Sequence, residues 1–221
     1  MLIRSASAVV MATFVLIAVI TGTPYFETLI FFISIAAVIE WYRLIIVNNT
    51  KLQNIIFLAC GILYILLPCL ILVWLRNNDK FGAIFIVWFF LVIWATDIGA
   101  YIFGKFIGGY KLAPAISPNK TWAGFFGGIV SAVISSFIFK IIFYPELMIL
   151  FIVLACLTIS IIGQIGDLFE SWCKRKLGVK DTSNIIPGHG GILDRVDSIL
   201  LSAPFAAFIA ISSEAYDIPW R

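Results

Sequence analysis

Seven solid apolar runs, each near or beyond the length of a bilayer-crossing helix, dominate this sequence. A helix rising 1.5 Å per residue needs roughly 20 apolar residues to cross about 30 Å of hydrocarbon. The runs lie at about 5–22, 27–47, 54–75, 81–103, 123–144, 147–169 and 193–213. They predict an all-α, polytopic membrane helix bundle with two long polar loops, at about 104–122 and 170–192. Alternating strands of a membrane barrel would read differently. Composition agrees, since 62% of the chain is hydrophobic and only 12% charged, whereas soluble chains carry about 25% charged residues. That excludes a secreted disulfide scaffold, a disordered tail and an ordinary cytosolic enzyme. The first run resembles a signal peptide in having Arg4 ahead of it, but its cleavage site is poor and another run follows at once. No internal repeat is visible. The expectation is one membrane-embedded domain over 1–221, with hydrophobic spans filling 1–95 and the chemistry in 96–200.

Basic residues orient such a bundle. With the N-terminus on side one and the spans alternating, eleven of the fifteen lysines and arginines fall on side one, which should be cytoplasmic. Both long loops fall there too. Arg43 and Lys51 need no role beyond topology. The lysines of the long loops differ, because carboxylates and turn formers are interleaved with them. A face that gathers positive charge beside an anionic leaflet is placed to meet anionic solutes.

The four cysteines show no CxxC spacing and three sit inside apolar runs, as small buried hydrophobes do. With one histidine, His189, a zinc site has almost no ligands available. A metal here should be held by oxygen.

Ionisable groups at membrane depth are expensive and point to function. Asp97 lies near the end of the fourth run, Asp167 near the end of the sixth, and Asp194 and Asp197 open the seventh at i, i+3. All four fall in one leaflet, so cations must join them: loop lysines and arginines, or a divalent ion. The alternative is structural, with Asp194 and Asp197 favouring a helix start and Asp97 paired with a lysine. Glu40 is read as structural, paired with Arg43 at i, i+3.

The most informative segment runs from Ser171 to Asp197. Lys174, Arg175, Lys176 and Lys180 precede a Pro187-Gly188-His189-Gly190-Gly191 turn, and Asp194, Arg195 and Asp197 follow it. Cationic side chains, a glycine turn that backbone can approach closely, and paired carboxylates at a helix start suit a phosphate with a hard cation such as Mg²⁺. Neither GxxxxGK[ST] nor GxGxxG occurs. The residues alone indicate an anionic, phosphorylated substrate without naming it.

This segment resembles the signature of the phosphatidate cytidylyltransferases (CDP-diacylglycerol synthases). The resemblance rests on Ser171, Lys174, Arg175, Lys180, Asp181, Pro187, His189, Gly190, Gly191, Asp194, Arg195 and Asp197. It extends upstream to Gly166-Asp167-Leu168, to Asp97-Ile98-Gly99-Ala100-Tyr101, and to Ser117-Pro118-Asn119-Lys120-Thr121-Trp122 with Gly124, Gly127 and Gly128. It covers about the last 125 residues. Two departures stand out: Cys173 replaces a larger apolar residue, and Ala123 stands where the family often has a glutamate.

The resemblance implies an enzyme that joins CTP to phosphatidic acid, giving CDP-diacylglycerol and pyrophosphate. It implies Mg²⁺ held by Asp167 and Asp194, with Asp197 as ligand or partner, and leaves room for a second divalent or monovalent cation. Lys174, Arg175, Lys180 and Arg195 would hold the phosphates, and Asp181 belongs to the same binding segment. Gly190 and Gly191 would line the phosphates through their amides. His189 would donate a hydrogen bond, protonate the leaving group, or only stabilise the turn. Ser117, Asn119, Lys120 and Thr121 would form a second substrate-contacting loop, and Ser171, in the first segment, would bind substrate too. Asp97 would pair with a lysine or act as an outer ligand. A homodimer is implied as well, and the expected location is the inner (plasma) membrane, with the N-terminus and both signature loops cytoplasmic by the charge asymmetry above.

Two rivals remain at this stage. A transporter of a phosphorylated solute or cation would use the buried aspartates as a relay, although carriers place such sites near the midplane between repeats. A CTP-dependent lipid kinase would release CDP instead of pyrophosphate.

Overall fold

The computed structural model describes residues 2–46, 51–79, 82–183 and 190–215. Among these, seven helices follow one another: α1 (Leu2–Thr21), α2 (Tyr25–Ile46), α3 (Lys51–Arg76), α4 (Gly82–Phe106), α5 (Trp122–Phe143), α6 (Ile149–Lys176) and α7 (Leu193–Ala215). A small antiparallel hairpin, β1 (Lys111–Ala113) and β2 (Ser117–Thr121), joins α4 to α5. The helices α2 to α7 each carry a stretch long and apolar enough to cross a membrane. In α1 the stretch Val9–Thr21 is apolar as well. The chain is a polytopic α-helical membrane protein.

The central helix is α4, which touches α1, α3, α5, α6 and α7. Phe85, Ile86, Trp88, Phe89 and Val92 on it are wholly buried, and the Trp88 indole N–H donates to Ser136 Oγ on α5 at 3.1 Å. Burial all round a helix is what a bundle's middle element requires. Peripheral faces stay apolar and exposed, as at Ile134, Ile138 and Ile141 of α5. Lipid, rather than water, suits that surface.

Small residues bring α4 and α5 together. A Cβ placed on Gly124 would lie 2.7 Å from the Ala100 carbonyl oxygen, and one on Gly128 would lie 2.9 Å from that of Thr96. Glycines four apart on one helix face permit such backbone approach in membranes. The same device joins α6 to α7, where a Cβ on Gly166 would sit 2.8 Å from the Asp197 carbonyl oxygen.

Two features depart from the sequence reading. The loop expected at 104–122 contains the hairpin, and α6 runs on to Lys176 instead of ending near 169. The basic run Lys174-Arg175-Lys176 is therefore the last turn of a helix, where cations complement the helix dipole. The stop comes at Gly178, with φ +71°. Its N–H donates to the Arg175 carbonyl, and that of Val179 to the Lys174 carbonyl. This pair of bonds is a Schellman cap, which needs a left-handed residue at the glycine position.

Candidate active site

The helices α2, α4 and α6 run toward the same end of the bundle, where α5 and α7 begin. Their meeting point holds the acidic and basic residues singled out above. Because Gly166 lets the two backbones touch, Asp167 on α6 is brought beside Asp197 on α7. Asp167, Glu170, Ser171 and Lys174 share one face of α6, at i, i+3, i+4 and i+7.

Two lysine–aspartate pairs organise the site. Lys120 Nζ, from β2, lies 2.5 Å from Asp167 Oδ2, and Ser171 Oγ lies 3.5 Å from Asp167 Oδ1. Lys174 Nζ donates to Asp194 Oδ1 at 2.6 Å and lies 3.3 Å from Glu170 Oε1. The second pair is the more buried, with side-chain exposures of 11% and 6%. Asp194 Oδ2 accepts from the Gly191 amide at 2.8 Å, and from the Thr182 amide at 3.0 Å. The bond back to Gly191 is the carboxylate half of a capping box at the start of α7.

Asp197 is buried, and its Oδ1 accepts from the Ser198 amide at 2.7 Å. Its neighbour Glu170 is only 2% exposed. Among the described residues, neither Glu170 oxygen receives a hydrogen bond. Two carboxyl groups in contact need a proton or a cation between them. Asp97, on α4, lies within electrostatic reach of Lys120, Arg195, Asp167 and Asp197.

The remaining expected site residues divide by position. Thr121 is buried and caps α5, its Oγ1 accepting from the Gly124 amide at 3.0 Å. Ser117 is half-buried and Asn119 exposed on β2. Arg175 bridges α6 to the hairpin, donating from Nε to the Ile116 carbonyl and from Nη1 to that of Val179, both at 3.2 Å. Lys180, Asp181 and Arg195 are exposed. Gly190 adopts φ +80°, and a Cβ there would meet Asp194 Oδ2 at 2.7 Å. His189, with Pro187 and Gly188, lies outside the described residues.

One expectation is altered. The Gly191 amide, expected to line the phosphates, donates instead to Asp194, and the next two amides, of Ile192 and Leu193, donate to Glu40. Glu40 itself binds the segment before α7, in place of the expected Arg43 pairing, because α2 delivers its carboxylate directly against those unsatisfied N–H groups. Sequence reasoning also passed over Glu170. Its spacing from Asp167 and Lys174 would have revealed it, had this stretch been read as helix.

All the acidic donors here are carboxylate oxygens, which suit a hard cation such as Mg²⁺ and not zinc. Glu170's oxygens, buried without a hydrogen bond among the described residues and with the Lys174 ammonium 3.3 Å from Oε1, fit that chemistry. Among the described residues no three acidic, histidine or cysteine side chains already converge as a metal cage; the lysines stand between them.

Comparison with known proteins decides the family. The model of the cytidylyltransferase family matches residues 46–212. A phosphatidate cytidylyltransferase of Rickettsia bellii is 38% identical over 215 residues, 94% of this chain and 89% of that protein. This chain belongs to the phosphatidate cytidylyltransferase family. Family members from Bacillus subtilis and Brucella suis are 42% and 45% identical over 168 and 169 residues, or 76% and 73% of this chain. The chain spans 62% and 59% of those two longer proteins. The family match includes every lysine–aspartate pair described above, but begins after Glu40.

Proposed function

We propose that this chain transfers the cytidylyl group of CTP to phosphatidic acid, forming CDP-diacylglycerol and pyrophosphate. The observation that carries this reading is the convergence of Asp167–Lys120 and Asp194–Lys174, beside Asp197, at one end of the bundle in a member of this family. One substrate is a water-soluble polyanion and the other an anionic lipid. A site at the end of a membrane bundle, lined by charges of both signs, is where the two can meet.

The lipid phosphate is already a nucleophile, so no serine or cysteine attack is required. Its oxygen forms a bond to the α-phosphorus of CTP, the bond from that phosphorus to the β-phosphate's bridging oxygen breaks, and pyrophosphate leaves. Catalysis then consists of positioning and charge neutralisation. Lys120 and Lys174, now bound to aspartates, and the accessible Arg195 supply cations for the phosphates. Arg175 and Lys180, exposed at the rim, extend that positive face. We assign Asp167, Asp194 and Asp197 as the residues that would hold Mg²⁺, which when bound would neutralise triphosphate charge. A second divalent or monovalent cation would be held by the same carboxylates.

We further infer that the site faces the cytoplasm, because side one holds eleven of the fifteen basic residues. Both loops, 107–121 and 177–192, then lie on that face of the plasma membrane, with catalysis confined to the region 96–200. A homodimer fits the family resemblance, and crosslinking in membranes tests it.

The functional test uses membranes containing the wild type or Asp194→Asn, labelled CTP, phosphatidic acid and Mg²⁺. The wild type should form a CDP-lipid and the variant should not. Equal rates would remove Asp194 from the mechanism.

A further inference from the structure

Glu40 is a carboxylate on α2, fully buried at 0% exposure, and among the described residues its hydrogen bonds come from Thr182, Ser183 and the first amides at the start of α7. Its Oε2 accepts from the Leu193 amide at 2.9 Å, and Oε1 accepts from the Ile192 amide at 2.9 Å and from Ser183 Oγ at 2.6 Å. The Thr182 hydroxyl lies 2.9 Å from Glu40 Oε2 and 3.0 Å from Asp194 Oδ2. That hydroxyl has one proton, so the two carboxylates share it. The amide of the same threonine donates to Asp194 Oδ2.

Glu40 is held firmly on its own side. The next residue, Trp41, is buried and donates from its indole to the Phe57 carbonyl on α3 at 3.1 Å. Gly61 of α3 makes room for that ring, since a Cβ there would overlap it. Gly191 makes the matching room on the other side: a Cβ would lie 2.5 Å from Glu40 Oε2 and would overlap the Thr182 hydroxyl.

We propose that Glu40 is a positioning residue for the cytidylyl-transfer site. It anchors the first amides of α7 and the Thr182 hydroxyl, and through them fixes the orientation of Asp194. Physically, a helix start leaves backbone N–H groups without intrahelical partners, and an anion there also gains from the helix dipole. In this chain the anion comes from a different helix, so one carboxylate sets both the placement of α7 against α2 and the aim of Asp194 toward Lys174. Outer partners that orient ligand carboxylates in this way commonly matter by 10–100-fold when removed. The inference rests on the reading of Asp194 as part of the nucleotide site.

The test compares wild type, Glu40→Gln, Thr182→Val and the double variant, each as the full chain in lipid nanodiscs. Two readouts are taken: kcat/KM for CTP in CDP-lipid formation, and amide hydrogen exchange over 190–195. Gln keeps the shape of Glu40 but presents an NH₂ to donors that need an acceptor. Glu40→Gln should lower kcat/KM by about tenfold or more and speed exchange at Ile192 and Leu193, with exchange in α4 unchanged. The double variant should be no worse than the poorer single variant, because both changes break one linkage. Wild-type kcat/KM in Glu40→Gln, losses that multiply in the double variant, or exchange that rises throughout the chain would each overturn the proposal. If the wild type itself makes no CDP-lipid, the functional reading fails, while the exchange at Ile192 and Leu193 still decides whether Glu40 holds the helix start.

Discussion

Lys174 Nζ lies 2.6 Å from Asp194 Oδ1, so the last turn of α6 is tied to the first turn of α7 by a mostly buried ion pair. The same ammonium lies 3.3 Å from Glu170. One cation therefore serves two carboxylates, and removing it takes that counter-charge from both. Lys174→Met should destabilise the protein by about 3 kcal/mol or more, as well as abolishing CDP-lipid formation. Unfolding titrations in detergent, run beside the activity assay, check both effects; a variant of unchanged stability would show that the pair does not hold the two helices.

The Lys120–Asp167 pair is more open, with side-chain exposures of 27% and 35%. Such pairs contribute less than about 1 kcal/mol. Asp167→Asn should therefore stay folded within that margin yet lose activity to background. A melting curve and a turnover assay on the same preparation separate chemistry from folding here. Substantial residual turnover would exclude Asp167 from the reaction.

Packing between α4 and α5 makes a different prediction. Gly128→Val would put a Cβ 2.9 Å from the Thr96 carbonyl oxygen, and backbone cannot give way as a flexible side chain does. Overpacking of this kind costs about 1–3 kcal/mol. The α4–α5 approach also carries Thr121 and the hairpin bearing Lys120, so turnover should fall together with stability. Detergent unfolding measures the first, and the same assay the second.

Metal removal is the fourth expectation. EDTA should abolish turnover and Mg²⁺ should restore it, whereas zinc-selective chelators should have no effect, because the site offers carboxylates without a cysteine or histidine set. Full activity in EDTA would leave the lysines and arginines as the only charge-neutralising groups.

Much of this was legible in the sequence because apolar runs of spanning length admit almost no other structure in lipid. Helices α2 to α5 and α7 lie close to their expected positions for that reason. The end of α6 was obscured because a charge run such as Lys174-Arg175-Lys176 reads equally as a solvated loop or as a helix's last turn. Gly178 marks the true stop. The hairpin escaped because strands as short as Lys111–Ala113 leave no periodic pattern. At the site, Asp167, Lys174 and Asp194 were accessible through their motif, and the structure brings them to one end. Glu40 was not, since its partners lie more than 140 residues away in sequence and local spacing offered Arg43 instead. Long-range hydrogen bonds of this kind have no local signature.

The central claim is a transfer of the cytidylyl group to a lipid phosphate, and the product anion reports on it most directly. Purified protein in nanodiscs, given CTP and Mg²⁺, should release pyrophosphate only when phosphatidic acid is added, with one CDP-diacylglycerol formed for each pyrophosphate. Release of CDP in its place, or pyrophosphate formed at the same rate without the lipid, would contradict it.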